Sequence, residues 1–271
     1  MAEADEAGRR ASRPARRGDL ARTVVRGLGQ TLITLGLIVL LFIVYEVWVT
    51  DEINEGRQTE LTQDLRQRWE AGEDVAPVQE PPEGAPTRPE GGPSQLPLGE
   101  GFGFIRIPRF GLDYVRVILE GTDEDSLTEG PGHYPDSALP GDVGNFSLAG
   151  HRVGKGSPFL NLDQLQPGDA IIIETRSAWF VYRMLGDPVT GDLGGDIDGI
   201  PGREIVAPSA VEVVDPVPGQ PGEEPTRSLL TLTTCHPKFS AAQRLIIHAE
   251  LDGTPFPKAD YPDGPPALTE G

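Results

Sequence analysis

The stretch from Ser228 to Glu250 reads SLLTLTTCHPKFSAAQRLIIHAE, and its two apolar runs decide the fold. Leu229 to Thr234 are all leucine or threonine, a composition that suits a pleated, half-buried surface. The run ends at Cys235, the only cysteine of the 271 residues. Nine residues later Arg244 opens a second run, Leu245 to Ala249. The pattern predicts two strands joined by a loop. In the second strand the period of two puts Arg244, Ile246 and His248 on one face and Leu245, Ile247 and Ala249 on the other. If the strands are neighbours, the thiol and the guanidinium share one groove.

A thiol becomes a useful nucleophile only beside a base or a cation. Four histidines are available, His133, His151, His236 and His248. His151 stands out because it ends another strand-like run, in NFSLAGHR. His236 adjoins Cys235, and neighbours in an extended chain point opposite ways. His248 lies four positions beyond Arg244, about 13 Å along a strand, which suits a structural role. With a single cysteine no internal disulfide exists, and an unpaired thiol outside the membrane points to reactivity.

At these residues the chain resembles the sortase family. The marks are TLTTC at Thr231 to Cys235, the arginine that follows at Arg244, and LAGHR at Leu148 to Arg152, in the family's order and spacing. The wording GHYPDSALPGDVGNFSLAGHR is most like the class E housekeeping sortases, and the resemblance covers roughly Gly103 to Asp252. It implies an eight-stranded β-barrel with short helices and a cysteine transpeptidase. Such an enzyme cleaves an LAxTG/LPxTG-type sorting signal between Thr and Gly and joins the threonine to an amine. The implied partners are secreted proteins with a C-terminal sorting signal and a lipid-linked peptidoglycan precursor of a Gram-positive wall. The implied catalytic residues are Cys235 as nucleophile, His151 as general acid and then base, and Arg244 as oxyanion stabiliser or as a grip on a backbone carbonyl of the substrate. Two substrate contacts are expected, at Thr234 and at Tyr134. In class E sortases a tyrosine in this neighbourhood is linked to LAxTG signals, and a hydroxyl suits the amide N–H that alanine has and proline lacks. A pilin-polymerising sortase and a cysteine hydrolase without an amine acceptor are the alternatives, and a non-enzymatic binding module with an incidental cysteine is a third.

Composition sets outer limits. Glycine (34) and proline (27) suit a turn-rich β domain with an unstructured segment, not a helical bundle. The net charge is -19, but residues 1–26 carry seven arginines against four acids, a net of +3 that leaves -22 for the rest. That balance excludes nucleic-acid binding by the main domain. No cofactor motif stands out. The aspartates at 192, 196 and 198 lack the terminal glutamate of an EF-hand loop and are read as no metal site.

Residues 27–50 hold one charge, Glu46, and as a helix they extend roughly 36 Å, enough to cross a bilayer once. The arginines before this span, and Asp51, Glu52 and Glu55 after it, predict a cytoplasmic N-terminus and an extracellular remainder. The expected order is then a basic cytoplasmic tail (1–26), a transmembrane helix (27–50), and a stalk with a Pro/Glu/Gly-rich linker (51–100). An extracellular catalytic domain (101–255) and a disordered C-terminal tail (256–271) complete it. In the stalk Ile53, Leu61, Leu65 and Trp69 share one helical stripe, and the linker is expected to give the domain reach. Short strands punctuated by Gly, Pro and Asp predict a mainly β, closed or nearly closed barrel with a short helix capped by Thr122, and against the usual sortase pattern Gly186 to Arg203 looks like an insertion. The loop Pro216 to Pro225 stands where sortases use a loop to form the substrate groove.

Overall fold

The computed structural model describes residues 17–45, 50–73, 96–194 and 198–270. The chain divides into two units, 1–46 and 47–271. The first contains helix α1 (Arg17–Val44), in which the apolar stretch Arg22–Phe42 is long enough to cross a membrane by length and composition. The expected span is thus helical through Val44, and residues 46–49 lie outside the described ones.

The second unit is built on strands β1 (Gly101–Arg106), β2 (Val115–Glu120), β3 (Gly132–His133), β4 (Gly144–Ala149), β5 (Ala170–Glu174), β6 (Ala178–Met184), β7 (Arg203–Val206), β8 (Ser228–His236), β9 (Gln243–Leu251) and β10 (Phe256–Pro257). Hydrogen bonding orders them β10-β6-β5-β1-β2-β3-β4-β8-β9-β7, and β6 pairs back onto β9. That last pairing closes β6, β5, β1, β2, β3, β4, β8 and β9 into an eight-stranded barrel, with β10 and β7 added at its rim. Most neighbours are antiparallel; β2–β3 and β4–β8 are parallel. Closure leaves the ring without a free edge.

Alternation fills the interior. Phe146 and Leu148 of β4, Leu230 and Leu232 of β8, and Leu245, Ile247 and Ala249 of β9 meet Ile171, Ile173 and Tyr182 in one core. The residues between them, Asn145, Ser147, Thr231, Thr233, Ile246 and His248, therefore face outward, where loops cover them.

Two segments differ from expectation. The stalk helix α2 (Thr50–Glu70) packs on the outside of β1 and β2: Leu65 is fully buried against Phe104 and Val117, with Leu61 and Trp69 beside it. The Gln58 side chain accepts from Val117 N (2.8 Å) and donates to Glu129 O (2.5 Å). The Ile53 side chain lies outside the described residues. Arg68, near the end of α2, bonds Glu100 and Gly101 O, both at 3.3 Å. The two flanks of the undescribed segment 74–95 are thereby joined, so its length adds no reach between α2 and the barrel.

The C-terminal residues 256–270 were expected as a disordered tail, and they are ordered. Phe256, Ala267 and Leu268 pack against Trp179 and Ile172, whose indole and side chain face outward on β6 and β5. The Trp179 N–H donates to Tyr261 O (3.0 Å). The Lys258 ammonium lies over the Trp69 and Trp179 rings, 4.3 and 4.9 Å from their centroids, and bonds Glu174 at 2.8 Å. A few apolar anchors in a turn-rich sequence suffice because two tryptophans provide a large surface.

Smaller corrections are local. The short helix α3 (Glu124–Glu129) is capped by Asp123, whose carboxylate accepts from Asp125 N and Ser126 N, and not by Thr122. In the insertion, Asp187 accepts from Val189 N and Asp192 from Gly194 N, which are turn contacts, while Asp198 pairs with Arg227.

Candidate active site

Three strand ends build the site. In the β8–β9 ladder Cys235 lies directly opposite Arg244, and paired residues project to the same face. In the parallel β4–β8 pair, Ala149 lies opposite Thr233. The pairing runs on past the end of β4, since Gly150 N donates to Thr233 O (3.1 Å) and the Thr234 hydroxyl to Gly150 O (2.7 Å). His151 follows Gly150 directly, so it stands one residue past the Gly150–Thr234 contact, as Cys235 does on β8. Gly150 is needed in this turn because a Cβ there would meet the Phe159 ring at 2.6 Å.

The groups differ in environment. Cys235 is half-buried, so its thiol is reachable. His151 is also half-buried, its Nε2 has no hydrogen-bond partner among the described residues, and burial lowers its pKa. The ring is consequently held ready to accept a proton at neutral pH. The Arg244 guanidinium donates through Nη1 to Ala241 O and Gln243 O, both at 3.0 Å. These bonds hold its stem over the β8–β9 loop, and no carboxylate pairs with it among the described residues.

The two expected substrate contacts part company. Tyr134 is half-buried, and its hydroxyl bonds Thr233 Oγ1 at 3.0 Å, which puts it on the Cys235 face two residues back along β8. Thr234 is buried and turned to the opposite face, where its hydroxyl ties the end of β8 to Gly150. It is not brought to the groove with Cys235, because successive strand residues alternate sides.

Sequence reading missed Arg152. It is buried beneath the cysteine turn, where Nη1 donates to His236 Nδ1 (2.7 Å) and Cys235 O (3.4 Å) and Nη2 pairs with Asp163 (3.1 Å). The signal was only its place in LAGHR: Arg152 follows His151 in the bend beyond β4. His236 Nδ1 is thereby an acceptor, since a guanidinium only donates. His248 is fully buried between Thr231 (2.8 Å) and Glu204 (3.2 Å), as a structural role requires. On the outer face of β4, Asn145 donates to Val213 O (3.4 Å) and Asp215 O (3.0 Å), which fastens the β7–β8 connection over this face.

A family model described as the sortase domain matches residues 105–252, more than half of the chain. The chain belongs to the sortase family. Sortases are cysteine transpeptidases, and in this sortase the matched region runs from within β1 to just past β9. α1, α2 and the C-terminal segment lie outside it. Sortase SrtE2 of Streptomyces coelicolor is 31% identical over 256 residues, covering 92% of this chain and 89% of that protein. Sortase SrtE1 of the same organism is 32% identical over 245 residues; they are 88% of this chain, which spans only 60% of that relative's length. Among solved structures, SrtF sortase from Corynebacterium diphtheriae is 40% identical with a TM-score of 0.60, over 68% of this chain and all of that one.

Proposed function

We propose that this sortase is a membrane-anchored cysteine transpeptidase that cleaves an LAxTG/LPxTG-type sorting signal between Thr and Gly and transfers the protein to an amine of a peptidoglycan precursor. The observation that supports this reading is the ladder pair Cys235–Arg244, with His151 two residues beyond the Ala149–Thr233 pair that joins β4 to β8. α1 is the single-pass anchor, with the arginine-rich N-terminus cytoplasmic and the barrel outside.

The chemistry runs in two halves. The Cys235 thiol gives its proton to His151, and the sulfur bonds to the threonine carbonyl carbon. Arg244 stabilises the oxyanion through donors not engaged with the loop. As the C–N bond breaks, the proton on His151 passes to the departing glycine amine, leaving a thioester. The acceptor amine then yields a proton to His151 and attacks the same carbon; the thiolate leaves and recovers that proton. Tyr134 contacts the residue after leucine in the signal, where its hydroxyl accepts the amide N–H of alanine. Thr234 acts by fixing the β4 and β8 ends together.

Mass spectrometry of the full chain in detergent, with LAxTG and LPxTG peptides and hydroxylamine as acceptor, tests this. The expected result is a thioester on Cys235 that the amine converts to a threonine hydroxamate. Release of free threonine carboxylate regardless of amine would support a hydrolase instead, and no adduct at all would defeat the reading.

A further inference from the structure

We propose that the buried pair Glu120–His133, acting through Ser137, is the device that positions Tyr134 and so sets which sorting signals are accepted. This rests on the role proposed above for Tyr134. Glu120 ends β2 and His133 ends β3, and the parallel register sets them side by side. Both are fully buried, and His133 Nδ1 lies 2.7 Å from Glu120 Oε2. The imidazole sits between Phe102 and Phe146, with ring centroids 5.7 and 5.1 Å away.

The hydrogens in this cluster can be assigned by elimination. Ser137 Oγ donates its one hydrogen to Tyr134 O (2.8 Å) and accepts from Ser147 N (3.1 Å). The third neighbour of that oxygen, His133 Nε2 at 2.9 Å, must then supply a hydrogen, as it must toward Ala138 O at 3.0 Å. A second proton lies between Nδ1 and the Glu120 carboxylate. Thus a buried carboxyl–imidazole pair in the barrel wall fixes the ring, the ring fixes the serine, and the serine hydroxyl holds the backbone carbonyl of Tyr134. Tyr134 N is held separately by Ser147 O (3.0 Å), and its hydroxyl reaches Thr233 on the cysteine face.

Stability alone does not account for such a pair, because buried ion pairs are commonly replaceable by apolar residues of similar volume without loss. What an apolar replacement cannot do is donate to Ser137. Glu120 and His133 are positioning residues, since neither reaches the groove.

The experiment compares kcat/KM for LAxTG and LPxTG peptides in the full chain and three variants: Tyr134→Phe, Ser137→Ala, and the double replacement Glu120→Leu with His133→Phe. Ser137→Ala leaves the buried pair intact and carries the test if the double replacement does not fold. Losing one net hydrogen bond predicts that Tyr134→Phe lowers the LAxTG-to-LPxTG ratio about fivefold. Ser137→Ala and the double replacement should lower it similarly and add nothing further in the Tyr134→Phe background. If Tyr134→Phe lowers the ratio while the others leave it unchanged, or depress both peptides equally, the positioning role is overturned and the Tyr134 reading stands. If Tyr134→Phe leaves the ratio unmoved, the Tyr134 reading fails and the positioning role falls with it.

Discussion

Cys235 and Arg244 occupy one row of the β8–β9 ladder, so the sulfur and the guanidinium rise from the same face although eight residues of chain separate them. The guanidinium uses Nη1 on two loop carbonyls, and in the proposed reaction its other donors meet the substrate. Lysine would keep the charge and lose that geometry. Arg244→Lys is expected to lower kcat/KM on the order of 10²-fold or more, as loss of an oxyanion donor does. Single-turnover kinetics should show slower thioester formation with thiol alkylation by iodoacetamide unchanged. A loss below about threefold would remove Arg244 from the chemistry.

Burial holds His151 below its ordinary pKa of 6.5. The unfolded chain takes up this proton near 6.5, whereas the folded chain resists until lower pH. Below 6.5 the unfolded state therefore binds more protons, and stability attributable to this group falls as pH falls. Thermal unfolding between about pH 5 and 7.5 should show this acid-side loss, reduced in His151→Asn. For the same reason the acid limb of kcat/KM should have its midpoint below 6.5. A midpoint above it would mean that another group is the base.

Thr234→Val removes the hydroxyl that bonds Gly150 O and leaves a buried carbonyl without that donor. The expected cost is about 1–3 kcal/mol, read as a lower urea midpoint, with Thr234→Ser close to the parent. Because the bond ties the histidine strand to the cysteine strand, kcat should fall with KM for the peptide little changed. A rise in KM alone would return Thr234 to the substrate.

What the sequence made legible was local and periodic. Alternation separated Leu245, Ile247 and Ala249, which fill the core, from Arg244, Ile246 and His248, because a period of two survives in any sheet. The same alternation, carried one residue back from Cys235, turns Thr234 away from the groove, and the expected substrate contact there read adjacency as proximity. The remaining differences are long-range. The stripe Leu61, Leu65 and Trp69 announces an apolar face but not the strands that cover it, and nothing local in a Pro- and Gly-rich tail tells that Lys258 meets Trp69. The Glu120–His133 pair is equally silent, since twelve residues and a parallel strand crossing separate its members.

The catalytic region defined by the family match begins at residue 105, yet the barrel is finished by parts outside it. Leu65 of α2 is fully buried on β1 and β2, and Glu174, itself buried, receives Arg66 (3.6 Å), Arg106 (2.8 Å) and Lys258 (2.8 Å). The helix, the barrel and the C-terminal segment thus converge on one carboxylate, and burial lowers the Lys258 pKa against the opposing pull of Glu174. Two changes separate the apolar and ionic parts. Leu65→Ala leaves a cavity between α2 and the strands and should cost about 2–5 kcal/mol. Glu174→Gln leaves three cations around a neutral amide and should cost a similar amount, about 3–5 kcal/mol. A fragment starting at Gly99 loses all of the α2 contacts, so its urea midpoint should lie below that of a fragment starting at Thr50. Equal midpoints for the two fragments would show that α2 is an appendage of the barrel and not part of its wall.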